Sequence, residues 1–196
     1  LRKEHLTQLK KTPFFNIVNS IVKKNVKQSK KFDLVTSVLI KKYNASRRSF
    51  QIGCKSVYFP ATKLSMIFGV YGGTIPIDVT YSSKIHSPFV KKHFEDDKNM
   101  EGTKIRSQLQ AILESKSNED VKDVVRLLCL YIFHTLLFAS SGHTLKWGFV
   151  KYIKDIDSMS SYAWPTAILQ ALMKSIDRCN GDLTKVTGCT LALQKM

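Results

Sequence analysis

Acidic residues are scarce in this chain. Of 196 residues only 15 are Asp or Glu, against 31 Lys or Arg, and the formal net charge is +16 with a pI near 9.8. So large an excess excludes a surface that is neutral at physiological pH. The usual partners of such a surface are nucleic acids, acidic proteins and anionic membranes. Long apolar runs are also missing. The longest, Leu127 to Ala139, has 13 residues and is interrupted by His134, whereas a membrane-spanning helix needs about 20. Cysteine is sparse. Cys54, Cys129, Cys179 and Cys189 form no CxxC pair, which excludes a disulfide framework and reads as reduced thiols of an intracellular protein. No signal peptide is visible, and a start at Leu1 rather than Met reads as an excised fragment. Internal repeats and low-complexity segments are absent.

Catalytic motifs are equally hard to find. Cys54 has no His or Asp at triad-like spacing and reads as a partly buried structural thiol. Cys129 and His134 are five residues apart, off a common helix face, and read as core. His86 and His93 are too isolated for a metal site, which needs further ligands at fixed spacing. Residues 69 to 74, GVYGGT, lack the Gly-Lys-Ser/Thr ending of a phosphate loop, so their glycines are expected to serve positive φ or close packing. Asp155, Asp157, Glu95, Asp96 and Asp97 read as exposed loop charges. The expectation is therefore no enzyme, no cofactor and no metal.

What is present is a normal core composition, 43% hydrophobic and 10% aromatic, which excludes wholesale disorder. The charge is concentrated. Residues 1 to 48 hold 13 Lys/Arg against Glu4 and Asp33, a net of +11, while residues 49 to 196 carry only +5. Asymmetry of this kind points to a basic face.

Apolar periodicity supplies the elements. Thr12-Pro13 opens a helix that runs to Lys27, with Phe14, Ile17, Val18, Ile21 and Val22 inward. A second helix fits residues 32 to 43, with Leu34, Val35, Val38 and Leu39 inward. Asn44-Ala45-Ser46 marks a turn, and SFQIG with SVYFP forms a hairpin around Gly53. Helices follow at 61 to 68, 88 to 94 and 103 to 115. Next, Asn118-Glu119-Asp120 caps a helix that runs from Val121 to about Ser140 and is buried on all sides after Leu127. Residues 146 to 156 read as helical. Trp164-Pro165 opens another helix, and 187 to 194 closes the chain. The fold class is mainly α, a compact helical domain with one small β-hairpin: one domain over 1 to 196, with a basic part at 1 to 48 and a helical core at 49 to 196.

Several stretches carry a family resemblance. LIKKYNASRRSFQIGCKSVYFPATKLSMIFGVYGG, VVRLLCLYIFHTLLFA, DIDSMSSYAWPTAILQALMKSID and TGCTLALQ together resemble the domain of unknown function in plant mobile-element proteins that often precedes a SUMO-protease-like domain. That domain is related to the plant mobile domain. The chain departs from the family pattern at Val70, where the glycine loop usually reads Gly-Leu, and at Pro165, where Gly often follows the Trp. Within that family the sequence is similar to anti-silencing proteins of VANDAL transposons. The resemblance implies a plant nuclear factor that binds short DNA motifs and relieves DNA methylation there. It fixes no DNA-contacting position.

The residues themselves suggest a division of labour. Lys10, Lys11, Lys23, Lys24, Lys27, Lys30, Lys31, Lys41 and Lys42 can neutralise phosphates. Arg47 and Arg48, with Asn16, Gln28 and Asn44, have the donors and acceptors that read base edges. Taken singly, each lysine reads as a solvated helix end and each arginine as a turn residue. Trp147, Tyr152 and Trp164 could stack on bases, but at their helical spacing among aliphatics they read as core. The expected partner is double-stranded DNA. The alternative is a protein-interaction module that recruits chromatin or protease partners. A membrane-surface reading of the first amphipathic helix is set aside, because its apolar stripe has partners in the helices that follow.

Overall fold

A computed structural model describes residues 1–23, 34–78, 80 and 82–195. The expected helix ends and lysines between 24 and 33 lie outside the described residues. The architecture is mainly helical. Two short helices come first, α1 (Lys3–Leu9) and α2 (Phe15–Val22), followed by α3 (Leu34–Lys41). The strands β1 (Tyr43–Asn44), β2 (Ser49–Ile52) and β3 (Lys55–Val57) make a three-stranded antiparallel sheet, one strand more than the expected hairpin. The helices α4 (Ala61–Phe68) and α5 (Pro88–Phe94) follow. Next come β4 (Met100–Glu101), α6 (Gly102–Ile112) and α7 (Asn118–Ile132). The chain closes with β5 (Thr144–Leu145), α8 (Phe149–Ile153), α9 (Trp164–Arg178) and a 3-10 turn at Thr190–Lys195.

The long apolar helix ends sooner than its composition suggests. After Ile132 it widens into a π-helical turn, Phe133–Leu137. The cap at its start is Ser117, in extended conformation, one residue before the expected Asn118. Acids at Glu119 and Asp120 then face the positive end of the helix dipole.

Aromatic rings fix the centre. Phe14, Phe133 and Trp164 meet with centroids 4.9 Å apart in each pair, the edge-on and tilted geometry that ring quadrupoles favour. The Trp164 indole N–H donates to the Met159 carbonyl at 2.7 Å, so the largest buried side chain leaves no polar atom orphaned. Leu9, Phe14, Ile17 and Val18 bring α1 and α2 into the same core.

The glycine loop acts by close packing, as expected. Gly69 ends α4 at φ 61°, a left-handed conformation that costs other residues about 1–2 kcal/mol. Its carbonyl accepts the Asn16 side-chain amide at 3.0 Å. Gly72 packs so tightly that a Cβ would lie 2.3 Å from the Tyr162 carbonyl oxygen and 3.0 Å from the Trp164 nitrogen. Both are backbone atoms, held in turn by hydrogen bonds between residues 73–75 and 160–163. Gly72→Ala is expected to cost about 3 kcal/mol, the upper end for overpacking because backbone cannot yield. A urea midpoint that does not move would refute this.

The Leu34 helix corrects the sequence reading. Of the four residues expected inward, only Leu39 packs against the core. Thr36 and Ile40 are the buried pair, while Leu34, Val35 and Val38 are exposed. Ile21 and Val22, at the end of α2, are exposed as well. The helix has apolar residues on two sides, so periodicity alone could not tell which side faces the core.

Candidate nucleic-acid interface

The unit α3–β1–β2–β3–α4 is held together locally. The Asn44 side-chain oxygen accepts from the Ser46 hydroxyl at 2.8 Å and from the Arg47 N–H at 3.0 Å, and the Arg48 N–H reaches the Ala45 carbonyl at 3.3 Å. These bonds close a four-residue turn, 45 to 48, between β1 and β2. The register Tyr43↔Phe50 and Phe50↔Val57 places Phe50 in the core, packed on Tyr43 with centroids 5.0 Å apart. α3 packs on β2, and α4 packs on α9. Arg47 and Arg48 therefore stand exposed at the tip of a short ribbon whose base is fixed to the domain.

Arg48 occupies the left-handed region at φ 49°. Arg48→Gly relieves about 1–2 kcal/mol of strain and adds about 0.5–1 kcal/mol of chain entropy cost. The expected result is a charge removed with thermal stability changed by less than about 1 kcal/mol; a collapse of the melting transition would show that the arginine holds the turn.

The other sequence-predicted residues have mixed placements. Lys41 and Lys42 are exposed at the end of α3, and Lys23 is exposed just after α2. Lys11 is paired with Asp157 at 2.9 Å, and the Lys10 ammonium lies over the Phe15 ring at 6.0 Å. Asn16 spends its amide N–H on the distant Gly69 carbonyl, and Asn44 its side-chain oxygen on the 45–48 turn. Lys24, Lys27, Gln28, Lys30 and Lys31 lie outside the described residues. The structure joins Lys10, Lys11 and Asn16 around one open depression of about 440 Å³ beside the glycine loop. Lys41, Lys42, Arg47 and Arg48 belong to the α3–α4 unit instead.

Sequence reading overlooked two members of that unit, Lys55 and Lys63, both exposed. The signal was available: no Asp or Glu occurs between Asp33 and Asp78. Ion pairs among the described residues fall on Lys11, Lys92, His93, Lys104, Arg126 and Lys185, and none falls within 34 to 77. Among the described residues, Asp177 of α9 is a carboxylate that acts on the base of the ribbon. Burial, then Asp177, push the Tyr43 hydroxyl above its ordinary pKa, and Arg48 opposes them.

The core reading of Trp147, Tyr152 and Trp164 holds. Trp147 and Trp164 are buried and Tyr152 is half-buried, its hydroxyl donating to the Asp78 carbonyl at 3.1 Å. Among the described residues the exposed tyrosines are Tyr58 and Tyr71. Cys54, expected to be partly buried, is exposed, because the two-residue turn Gly53–Cys54 has nothing above it.

A second charged cluster was also missed, and it is internal. Asp123 on α7 is buried, and its carboxylate accepts from Lys92 at 2.8 Å, His93 at 2.9 Å and Arg126 at 2.7 Å. Burial pushes the Asp123 carboxyl up, but these hydrogen bonds outweigh it and hold the pKa at about 2. Lys92 reaches Asp120 as well, and Arg126 reaches Glu119 and the Lys154 carbonyl. The cluster ties α5 to α7. Among the described residues no three His, Cys, Asp or Glu side chains are placed to hold a metal ion. No helix there is long and apolar enough to cross a membrane.

A family model described as Domain of unknown function (DUF8566) matches residues 23–194. The chain belongs to this family. The DUF8566 match takes in the whole α3–α4 unit and the internal Asp123 cluster. It leaves out α1 and α2, although both contribute side chains to the shared core. Searches of curated proteins and of solved structures give no match.

Proposed function

We propose that this chain is a double-stranded DNA-binding domain with a sequence preference, in which the α3–α4 unit meets the duplex. One observation carries the reading: six exposed cations, Lys41, Lys42, Arg47, Arg48, Lys55 and Lys63, occupy a stretch with no carboxylate in its sequence and no ion pair among its described residues. Among the described residues outside this stretch, Lys11, Lys92, Lys104, Arg126 and Lys185 pair with acids. Lys84 is held differently, donating to the Phe94, Glu95 and Asp97 backbone carbonyls at the end of α5. Uncompensated cations gain most from phosphates, since each contact releases condensed counterions.

The labour is divided. Lys41, Lys42, Lys55 and Lys63 grip phosphates and set orientation, which carries no sequence information. Arg47 and Arg48 sit at the tip of a ribbon, and the major groove admits a two-stranded ribbon. Their guanidinium forks match guanine O6 and N7. The lysines of residues 23 to 31 extend the phosphate footprint. The family resemblance adds the setting, a plant nuclear factor derived from a mobile element, and proposes relief of DNA methylation as the outcome of binding.

Selection from a random duplex pool tests the specific part of the proposal. An enriched motif that depends on Arg47 and Arg48 is expected. Recovery of unselected sequence with undiminished affinity would leave only the phosphate grip, and no retention at all would remove the function.

A further inference from the structure

We infer that the outer face of α3 docks an amphipathic helix of a partner protein that carries carboxylates beside its apolar stripe. Leu34, Val35 and Val38 are 81%, 57% and 49% exposed. At spacing i, i+1 and i+4 they share one helix face. One turn further along, the same face continues with Lys41 and Lys42, both exposed. The stripe is not packing left unfinished, because α3 already buries its other side, Thr36 and Ile40, against the domain. Large aliphatic side chains grouped on a surface mark an interaction site, and a short apolar stripe with charged ends is the form that takes a partner helix.

The occupant follows from what surrounds the stripe. DNA offers base edges, phosphates and the thymine methyl as its one apolar feature, so three adjacent aliphatics exceed what a groove can cover. A second copy of this chain, packed antiparallel across a two-fold axis, would lay Lys41 and Lys42 over the Leu34 end of the other copy's stripe, and no carboxylate occurs between 34 and 77 to meet them. A membrane-surface helix relies on bulky Trp, Phe or Leu over several turns, and this face has two turns and no aromatic residue. A helix with acids flanking its apolar stripe meets both halves of the face. The aliphatic stripe is separate from the ribbon tip, while Lys41 and Lys42 are shared with the proposed duplex surface, so helix and duplex compete for them.

The test uses the full chain and a labelled synthetic helix of about four turns, with leucines at i, i+3, i+4 and i+7 and glutamates alongside. A scrambled peptide of the same composition is the control, and fluorescence anisotropy is the readout. Wild type is expected to prefer the helix over the scramble by about ten-fold or more, and Leu34→Gln/Val35→Gln/Val38→Gln to lose that preference. Melting temperature and duplex affinity should stay unchanged in this variant. If the triple variant melts early, Leu34→Gln alone, at the most exposed position, serves in its place. Equal binding of the two peptides overturns the inference. So does a loss that appears instead in duplex affinity or in binding to phosphatidylserine vesicles, or a wild-type dimer in sedimentation that the variant abolishes.

Discussion

Asp123→Ala is expected to destabilise the domain by about 3–5 kcal/mol, the cost of stranding buried charges that have lost their counter-charge. Asp123 is 1% exposed and accepts from three donors on two helices. Removing it leaves Arg126, already largely covered, with Glu119 as its one remaining carboxylate, and leaves His93 Nε2 without its partner while Nδ1 keeps Gln108. The loss is a large share of the 5–15 kcal/mol that holds a typical domain. The same carboxylate gives a pH signature. Its folded pKa, about 2, lies below the unfolded value of 3.8. The stabilisation is therefore fully present above pH 4 and is lost as pH falls through the folded pKa, a total of about 2 kcal/mol. Urea midpoints of wild type and Asp123→Asn compared at successively lower pH should converge by that amount. Parallel curves would show that the cluster does not contribute in this way.

Replacing Lys41, Lys42, Arg47, Arg48, Lys55 and Lys63 by Gln is expected to lower duplex affinity by about 10³-fold or more at moderate salt, if most of these cations face phosphates or bases. The six are exposed and, among the described residues, unpaired with carboxylates, so the variant should melt like wild type. Two sub-variants separate the roles. Changing the four lysines should weaken all duplexes alike, whereas changing Arg47 and Arg48 should also flatten discrimination among sequences, by about 1–3 kcal/mol per lost bidentate contact. An affinity within two-fold of wild type for the six-fold variant would place any duplex elsewhere on the molecule.

Local signals made much of the helical scaffold legible, and long-range pairings were hidden. The helices 61–68 and 88–94 match the structure residue for residue, because a Gly stop in the first case and a Ser-Pro start in the second define their ends. Trp164-Pro165 likewise opens α9. By contrast, β4 and β5 pair Met100 with Leu145, and nothing local announces a two-residue strand whose partner lies so far along the chain. His93 and Asp123 are 30 residues apart, so two residues that look isolated in sequence meet in the interior. The orientation of α3 was misjudged because Leu34, Val35 and Val38 outweigh Thr36 in any count of apolar residues. Its buried side is set by contact with β2 and the C-terminal 3-10 turn instead. At the candidate site, lysine density drew attention to residues 23 to 31, while the absence of acids from 34 to 77 is the better guide to unpaired charge.

The most direct measurement is the equilibrium constant for a short duplex, taken across a salt series for wild type and for the six-fold Gln variant. If about six phosphates are neutralised, log K for wild type should fall against log salt with a slope of about −5, and the variant's slope should be several units shallower. A wild-type slope near zero, or the same slope in both proteins, would contradict the assignment of the α3–α4 unit as the surface that meets DNA.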